Sequence, residues 1–548
     1  MNYKMKRALM LLAMTAAMTN GSAKPENTER TIRNDCFWQT VDGETIYSQG
    51  GGIFRFEDPE TKKMRYYWYG VKYYAAEEYR KDPSVTLPNA QYDCVTCYVS
   101  DDLANWKSLG EAVSHEEIDK HAGRTWLGRL GVVKVDSVYA MFVQCGSQVL
   151  VAESANPAGP FKWGRLINMK DMVGTTNTGD QTVFVDEDTG KGYLVCSKGN
   201  GRNRIFVAEI GRTKDGSIGL LDCTKVYEGA GREGNCMFKY GGKYYLCASN
   251  LYGWDCSYAY FLVADNVKGP YREAIADYKR PDNDYPLNIS NAMQIMPGSE
   301  RDYAHLSQTG FFYTLRGTNG ELVLYCGDRW AEFAGNGIGY NQWVPLSFDG
   351  EIPHFNSLSE WHLDPKNASW SVGSKNNFAI NGSFDADRRI IPLAAKPRQE
   401  YLTGWTTEFL KGSVATVADT LSPRLNHAKS REDRRQTVGE MALLITDRQH
   451  FERRVSQEIT ATPYVPLADG SYTLTAKVKI EQPLKQLQLF AETGGRTFKT
   501  SAKTQKGEWQ TVELKGIRLT GGKVKIGIHA KGNANARCLV DDITLVRE

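Results

Sequence analysis

The sequence has little of what a helical or a disulfide-stapled protein needs. Apolar periodicity near 3.6 residues is hard to find beyond the first two dozen positions, which argues against helix bundles and α/β folds. Past that point no apolar run approaches the roughly 20 residues that span a bilayer, so no membrane span is expected. The 11 cysteines are odd in number and scattered through strand-like segments such as LVCSKG, YLCASN and VLYCGD. That spacing is no disulfide framework, and it predicts that most are buried thiols. Cys94 and Cys97, in CVTC, have no second such pair, and two strand residues are a better account than zinc. Asp186, Glu187 and Asp188, in DEDTG, lack further oxygen ligands at suitable spacing and read as a solvated hairpin turn rather than a calcium loop. No metal, cofactor or nucleic-acid partner is expected.

What is present begins with a leader. MNYKMKR, the apolar ALMLLAMTAAM and the small residues Gly21, Ser22 and Ala23 form a secretory signal pattern over residues 1–23, with no cysteine placed for a lipid anchor. A periplasmic or secreted protein is expected. Roughly 525 residues remain, enough for one large domain and a second. Charge is uneven: from Ser374 onward there are 28 Lys and Arg against 19 Asp and Glu, which leaves the first part acidic within a net charge of +3. A basic tail suits an acidic polymer, although solvated Lys and Arg faces are the commoner reason.

Short β-rich runs between Gly, Asp and Asn turns dominate, and they repeat. GGGIFRFEDPETKKMRYYWYG, GRLGVVKVDSVYAMFVQC, GDQTVFVDEDTGKGYLVCS, REGNCMFKYGGKYYLCAS and SQTGFFYTLRGTNGELVLYCGDRW each read as a hairpin with turn chemistry in the middle. Further strands follow each, as in QVLVAESANPAGPF and YAYFLVADNVKGPY. Five multistrand units predict an all-β chain with a five-bladed β-propeller over residues 35–372, a series of β-sandwiches being the alternative. From NGSFDAD the pattern changes to plainly alternating strands such as SYTLTAKVKI and KVKIGIHAKG, ending in CLVDDITLVRE. A β-sandwich over 376–548 is expected.

In a propeller the innermost strands line the axis, so the residues at their starts converge at one end. Those starts are SQGGG, LGRLG, TGDQT, REGN and LSQTG, which bring Asp180, Glu233 and Gln308 toward one pocket with Arg129 and Arg232. An acid that protonates a leaving oxygen needs a raised pKa, which burial and a second carboxylate both supply. Asp180 and Glu233 are candidates for that pair. Taken alone, each is as well explained as a turn residue or a salt-bridge partner; the equivalent positions in the repeat favour chemistry. Trp68, Tyr69, Trp126, Tyr252, Trp254 and Trp330 are candidate stacking surfaces for sugar rings, with Gln49 and Asp328 as further polar contacts, and core packing is the competing role for each aromatic.

At these residues the chain resembles glycoside hydrolase family 43, most closely its exo-β-1,3-galactanase branch. GDQTVFVDEDTGKGYLV is similar to that family's RDMTLFVDDDGKAYLI, and REGNCMFKYGGKYYLCAS to its EAPAMFKRNGYYYLITS. The resemblance implies a five-bladed propeller, an exo-acting and inverting hydrolase of plant-type galactan, Glu233 as general acid, Asp180 as the carboxylate that tunes it, and Gln308 holding the attacking water. Departures accompany it. Gln49 stands for a histidine, Val71 for the glutamate of WYGE, and Gly128 for a substrate-binding glutamate. The aspartate base of most members has no counterpart in Gln49 to Gly52, which leaves Glu77, Glu78 or Asp328 as substitutes. NGSF and VDDI resemble carbohydrate-binding modules of the galactose-binding-like jelly-roll type. A sugar-binding propeller without turnover, and an arabinofuranosidase or β-xylosidase, remain the alternatives.

Overall fold

A computed structural model of the chain describes residues 30–81, 92–122, 127–146, 148–175, 178–253, 255–280, 293–330, 339–387, 402–413, 424–425, 442–503 and 507–548. The expected leader lies outside them. The fold is almost entirely β.

Each of the five hairpins in the repeat opens a sheet of four or five antiparallel strands, with strand order following the sequence from the inside outward. The inner strands are Gln49–Glu57, Leu127–Val135, Thr178–Asp186, Glu233–Tyr240 and Gln308–Gly317. They neighbour one another in that order, and the fifth returns to the first, closing a ring. Between the blades lie apolar clusters, one built on Phe54, Tyr69, Phe142 and Phe206, another on Trp68, Trp106, Trp343 and Trp361.

Among the described residues the sheets of this region number six, one more than the five blades expected. The additional sheet has three strands. Arg30–Arg33 pairs with Glu360–Asp364, which pairs in turn with Ser369–Val372. It contributes nothing to the inner ring, and its partners are separated by most of the propeller sequence, so a search for adjacent repeated hairpins passes over it. Asn34 fastens it to the last blade: its Nδ2 donates to the carbonyls of Trp343 (2.8 Å) and Leu358 (2.7 Å).

Eight strands drawn from the described residues between 406 and 547 form one antiparallel sheet. Two strands, Gly470–Thr493 and Lys523–Arg547, run 24 and 25 residues and pair with each other throughout. Register shifts at Ile480/Gln482, Gln482/Leu484 and Leu484/Gln486 bend the first of them, because an extra residue in one strand locally sharpens twist. The sheet thereby curls around a core that includes Tyr472, Val478, Leu489, Ile526 and Leu545. All eleven cysteines are free, and nine of them are buried.

Candidate active site

All five inner strands begin with the same irregularity. Their pairing with the second strand slips between Gln49 and Gly52, Gly128 and Leu130, Thr178 and Gln181, Glu233 and Cys236, and Thr309 and Phe311. Bulges of this kind turn a side chain off the sheet's alternation and are common beside active sites. In the fourth blade the bulge needs Gly234, at φ 60°, where a Cβ would lie 2.6 Å from the carbonyl oxygen of Thr309. Glu233, just before it, is thereby aimed along the axis rather than into the blade.

The strand starts surround a cavity of about 340 Å³, lined by Arg129, Gln144, Asp180, Arg202, Glu233, Gln308 and Trp330 among others. Gln308 joins its walls. Its Nε2 donates to Glu233 Oε1 (2.9 Å) and Ser249 Oγ (3.0 Å), while its Oε1 accepts from Arg129 (2.8 Å) and Trp330 Nε1 (2.8 Å). Both amide hydrogens and both carbonyl lone pairs are thus taken by the protein. Arg129 is buried, and its Nε donates to Asp180 Oδ2 at 3.1 Å. Asp180 Oδ2 also accepts from the backbone N–H of Gly234 at 2.8 Å.

The two carboxyl groups are driven apart in proton affinity. Burial pushes Glu233 up, Arg202 pulls it down and the charge of Asp180 adds to the rise, leaving it at about 7. Asp180 is also buried, but Arg129, Arg202 and the Gly234 N–H more than compensate and hold it below the usual carboxylate range. One carboxyl group is therefore available as a proton donor near neutrality while its neighbour stays ionised.

Arg202 and Gln144 were not among the residues singled out from sequence. Arg202 sits in the turn after Gly201, in a left-handed backbone conformation (φ 48°), and its guanidinium donates to Glu233 Oε2. It fits because Gly179 has no side chain: a Cβ there would come within 3.2 Å of Arg202 Cγ and Nε. A turn outside the repeated hairpins carries no periodic signal, although the positive-φ dipeptide Gly-Arg in KGNGRN marks a sharp reversal.

The remaining sequence candidates are placed as follows. Trp330 and Arg129 line the cavity. Arg232 is buried away from it, stacked at 3.9 Å over the Tyr260 ring. Trp68 is packed among Trp38, Trp106 and Trp343, Tyr69 sends its hydroxyl to the Pro157 carbonyl, and Tyr252, in the bend after the second strand of the fourth blade, lies against Tyr303; all three are buried core residues. Gln49 is buried, with Nε2 on the Arg329 carbonyl at 3.4 Å. Trp126 and Trp254 lie outside the described residues.

None of the three substitute bases reaches the cavity lining. Glu77 is engaged by Tyr47 and Arg80, and its neighbour Glu78 is exposed on the same short helix. Asp328 is buried behind Arg129, 3.5 Å from its guanidinium, and burial raises it to about 6. Among the described residues, no group of three or more His, Cys, Asp or Glu side chains is arranged to hold a metal.

Residues 71–292 match the family model of glycosyl hydrolases family 43. This part of the chain is similar to the family 43 glycosyl hydrolases. Asp180, Arg202 and Glu233 fall inside the match, Gln308 and Trp330 beyond it. Solved structures similar to the chain include the exo-β-1,3-galactanase of Phanerochaete chrysosporium with β-1,3-galactotriose (19% identity, TM-score 0.53, covering 94% of this chain and 100% of that one) and that of Clostridium thermocellum (20% identity, TM-score 0.50, covering 94% and 100%). At these identities the likeness shows the fold. No curated protein matches. Among the described residues no helix is long and apolar enough to cross a membrane.

Proposed function

We propose that this family 43-like domain removes terminal sugars from a plant-type galactan or arabinogalactan side chain, that it does so outside the cytoplasm after export by its leader, and that it inverts the anomeric centre. Glu233 is the general acid and Asp180 the carboxylate that raises its proton affinity. The observation that carries this reading is the pair itself: two buried carboxyl groups at the starts of neighbouring inner strands, facing one sugar-sized cavity, with Glu233 held near 7 and Asp180 held low. The galactanases with the same fold support galactan as the polymer to test first.

Inversion needs a water activated on the side of the sugar opposite the acid, usually by a second carboxylate roughly 6.5 to 9.5 Å from the first. Gln308 is assigned to hold that water. Its four protein bonds mean that one must open when substrate arrives; the bond to Glu233 is the natural one, since a protonated Glu233 turns toward the leaving oxygen. The test is release of monosaccharide from β-1,3-galactan, with proton NMR of the first anomer formed. Retained configuration would overturn inversion, and absence of release from galactan, together with turnover of aryl arabinofuranosides or xylosides, would move the substrate within the family.

A second reading, sugar binding without turnover, is favoured by one observation: no third carboxylate lines the cavity among the described residues. Binding by calorimetry without hydrolysis across a broad glycan panel would establish it.

A further inference from the structure

The cavity's polar groups are mostly spoken for by one another. Asp180 is held by Arg129 and Gly234, Glu233 by Arg202, Gly253 and Gln308, and Gln308 by four partners. Gln144 is different. It stands on the second strand of the second blade, Val138–Cys145, directly across the ladder from Gly128, and both residues line the cavity. Only 3% of Gln144 is exposed. Its Nε2 donates weakly to the Gly146 carbonyl at 3.5 Å, and its Oε1 has no hydrogen-bond partner. Among the described residues lining the cavity it is the buried side-chain oxygen in this position.

A buried acceptor without a donor is costly, and native proteins keep such a group when something outside the fold completes it. Opposite it, Gly128 contributes no side chain to close the space. We infer that Gln144 is a specificity-determining residue whose Oε1 accepts a hydrogen bond from a hydroxyl of the sugar bound beside Glu233. The inference rests on the reading of this cavity as a sugar site, and it adds the group that reads the sugar as distinct from those that cleave it. The ligand chemistry is a neutral sugar: the free acceptor asks for a hydroxyl donor, and a carboxylate would be repelled by it.

The experiment uses the whole exported chain and two variants, Gln144→Leu and Gln144→Met. Calorimetry is run with galactose, arabinose and xylose as probes, and melting is measured without sugar. The expected result is that the wild type binds at least one probe, that both variants bind it about 10-fold more weakly, the worth of one hydrogen bond, and that neither melts below the wild type, because each removes an unsatisfied buried oxygen. A purely structural Gln144 would instead lower the melting temperature and leave affinity unchanged, which overturns the inference, as does a wild type that binds none of the probes. Hydrolysis is followed separately. Sugar binding that depends on Gln144 without turnover sinks the hydrolase reading alone; turnover with an unchanged KM in both variants sinks the role of Gln144 alone.

Discussion

Arg202 donates a hydrogen bond to Glu233 from the room that Gly179 leaves, so the residue assigned as proton donor is ion-paired within the cavity. The charged groups that face Glu233 come from two blades: Arg202 after the second strand of the third, Asp180 at the start of that blade's inner strand, and Arg129 from the second. Gln308 and the Gly253 N–H complete its surroundings. Burial outweighs the two cations, which is why the group stays near 7 instead of falling as a paired carboxylate ordinarily does.

Opposite shifts are expected from the two neighbours. The acid works while protonated, so the alkaline limb of kcat/KM should lie near pH 7, where Glu233 loses its proton. Arg202→Met removes the group that pulls Glu233 down and moves that limb to higher pH. Asp180→Asn removes a charge that pushes it up and moves the limb lower. pH profiles of the three proteins on one galactoside check this; limbs that coincide would show that Glu233 is not the titrating acid.

Removing the proton donor should hurt most where the leaving group is poor. Glu233→Gln is expected to lower kcat on β-1,3-galactobiose by about 10² to 10⁴, the usual worth of general acid catalysis. On an activated aryl galactoside, which departs without protonation, the loss should be much smaller. Equal losses on both substrates in steady-state assays would assign Glu233 to binding instead.

Much of this was legible in the sequence, and the parts that were not share a cause. Period-two strands and Gly-Asn turns gave the repeated hairpins, and equivalence within the repeat was enough to bring Asp180, Glu233, Gln308 and Arg129 to one cavity. The repeat is silent about anything outside it. The sixth sheet joins Arg30–Arg33 to Glu360–Asp364 across the whole propeller, and Arg202 reaches the site from a turn. Side-chain direction was the other blind spot: Arg232 is adjacent to Glu233 in sequence, yet the bulge sends Glu233 to the axis while Arg232 packs on Tyr260. The aromatics Trp68 and Tyr69 lie beyond the bulge of their own strand's partner and belong to the seams between blades.

Gln308 should carry stability as well as function. Gln308→Leu removes one hydrogen bond from each of Arg129, Trp330, Ser249 and Glu233. Stranding a buried polar group costs about 1–3 kcal/mol. A drop of at least about 2 kcal/mol in denaturant unfolding is expected, together with loss of hydrolysis. A variant as stable as the wild type would mean that these groups re-pair without Gln308.

The segment just before Gln308 supplies the last test. Tyr303, Ala304, His305 and Leu306 all have φ between 52° and 57°, one turn of left-handed helix made without glycine. Each such residue costs roughly 1–2 kcal/mol, so the surroundings must hold it. They do so through His305, whose N–H is capped by Asp302 (2.9 Å) and whose ring lies against Ser357 (2.7 Å) and Asp35 (3.2 Å). Burial alone would lower the histidine, but Asp35 and Asp302 raise it to about 10. A group whose folded pKa is raised stabilises fully below its unfolded value of about 6.5. That contribution fades as pH climbs toward 10. His305→Asn should therefore melt well below the wild type at pH 6, and the gap between the two melting temperatures should narrow steadily by pH 10. A gap that stays constant across that range would show that His305 holds the turn by shape and not by charge.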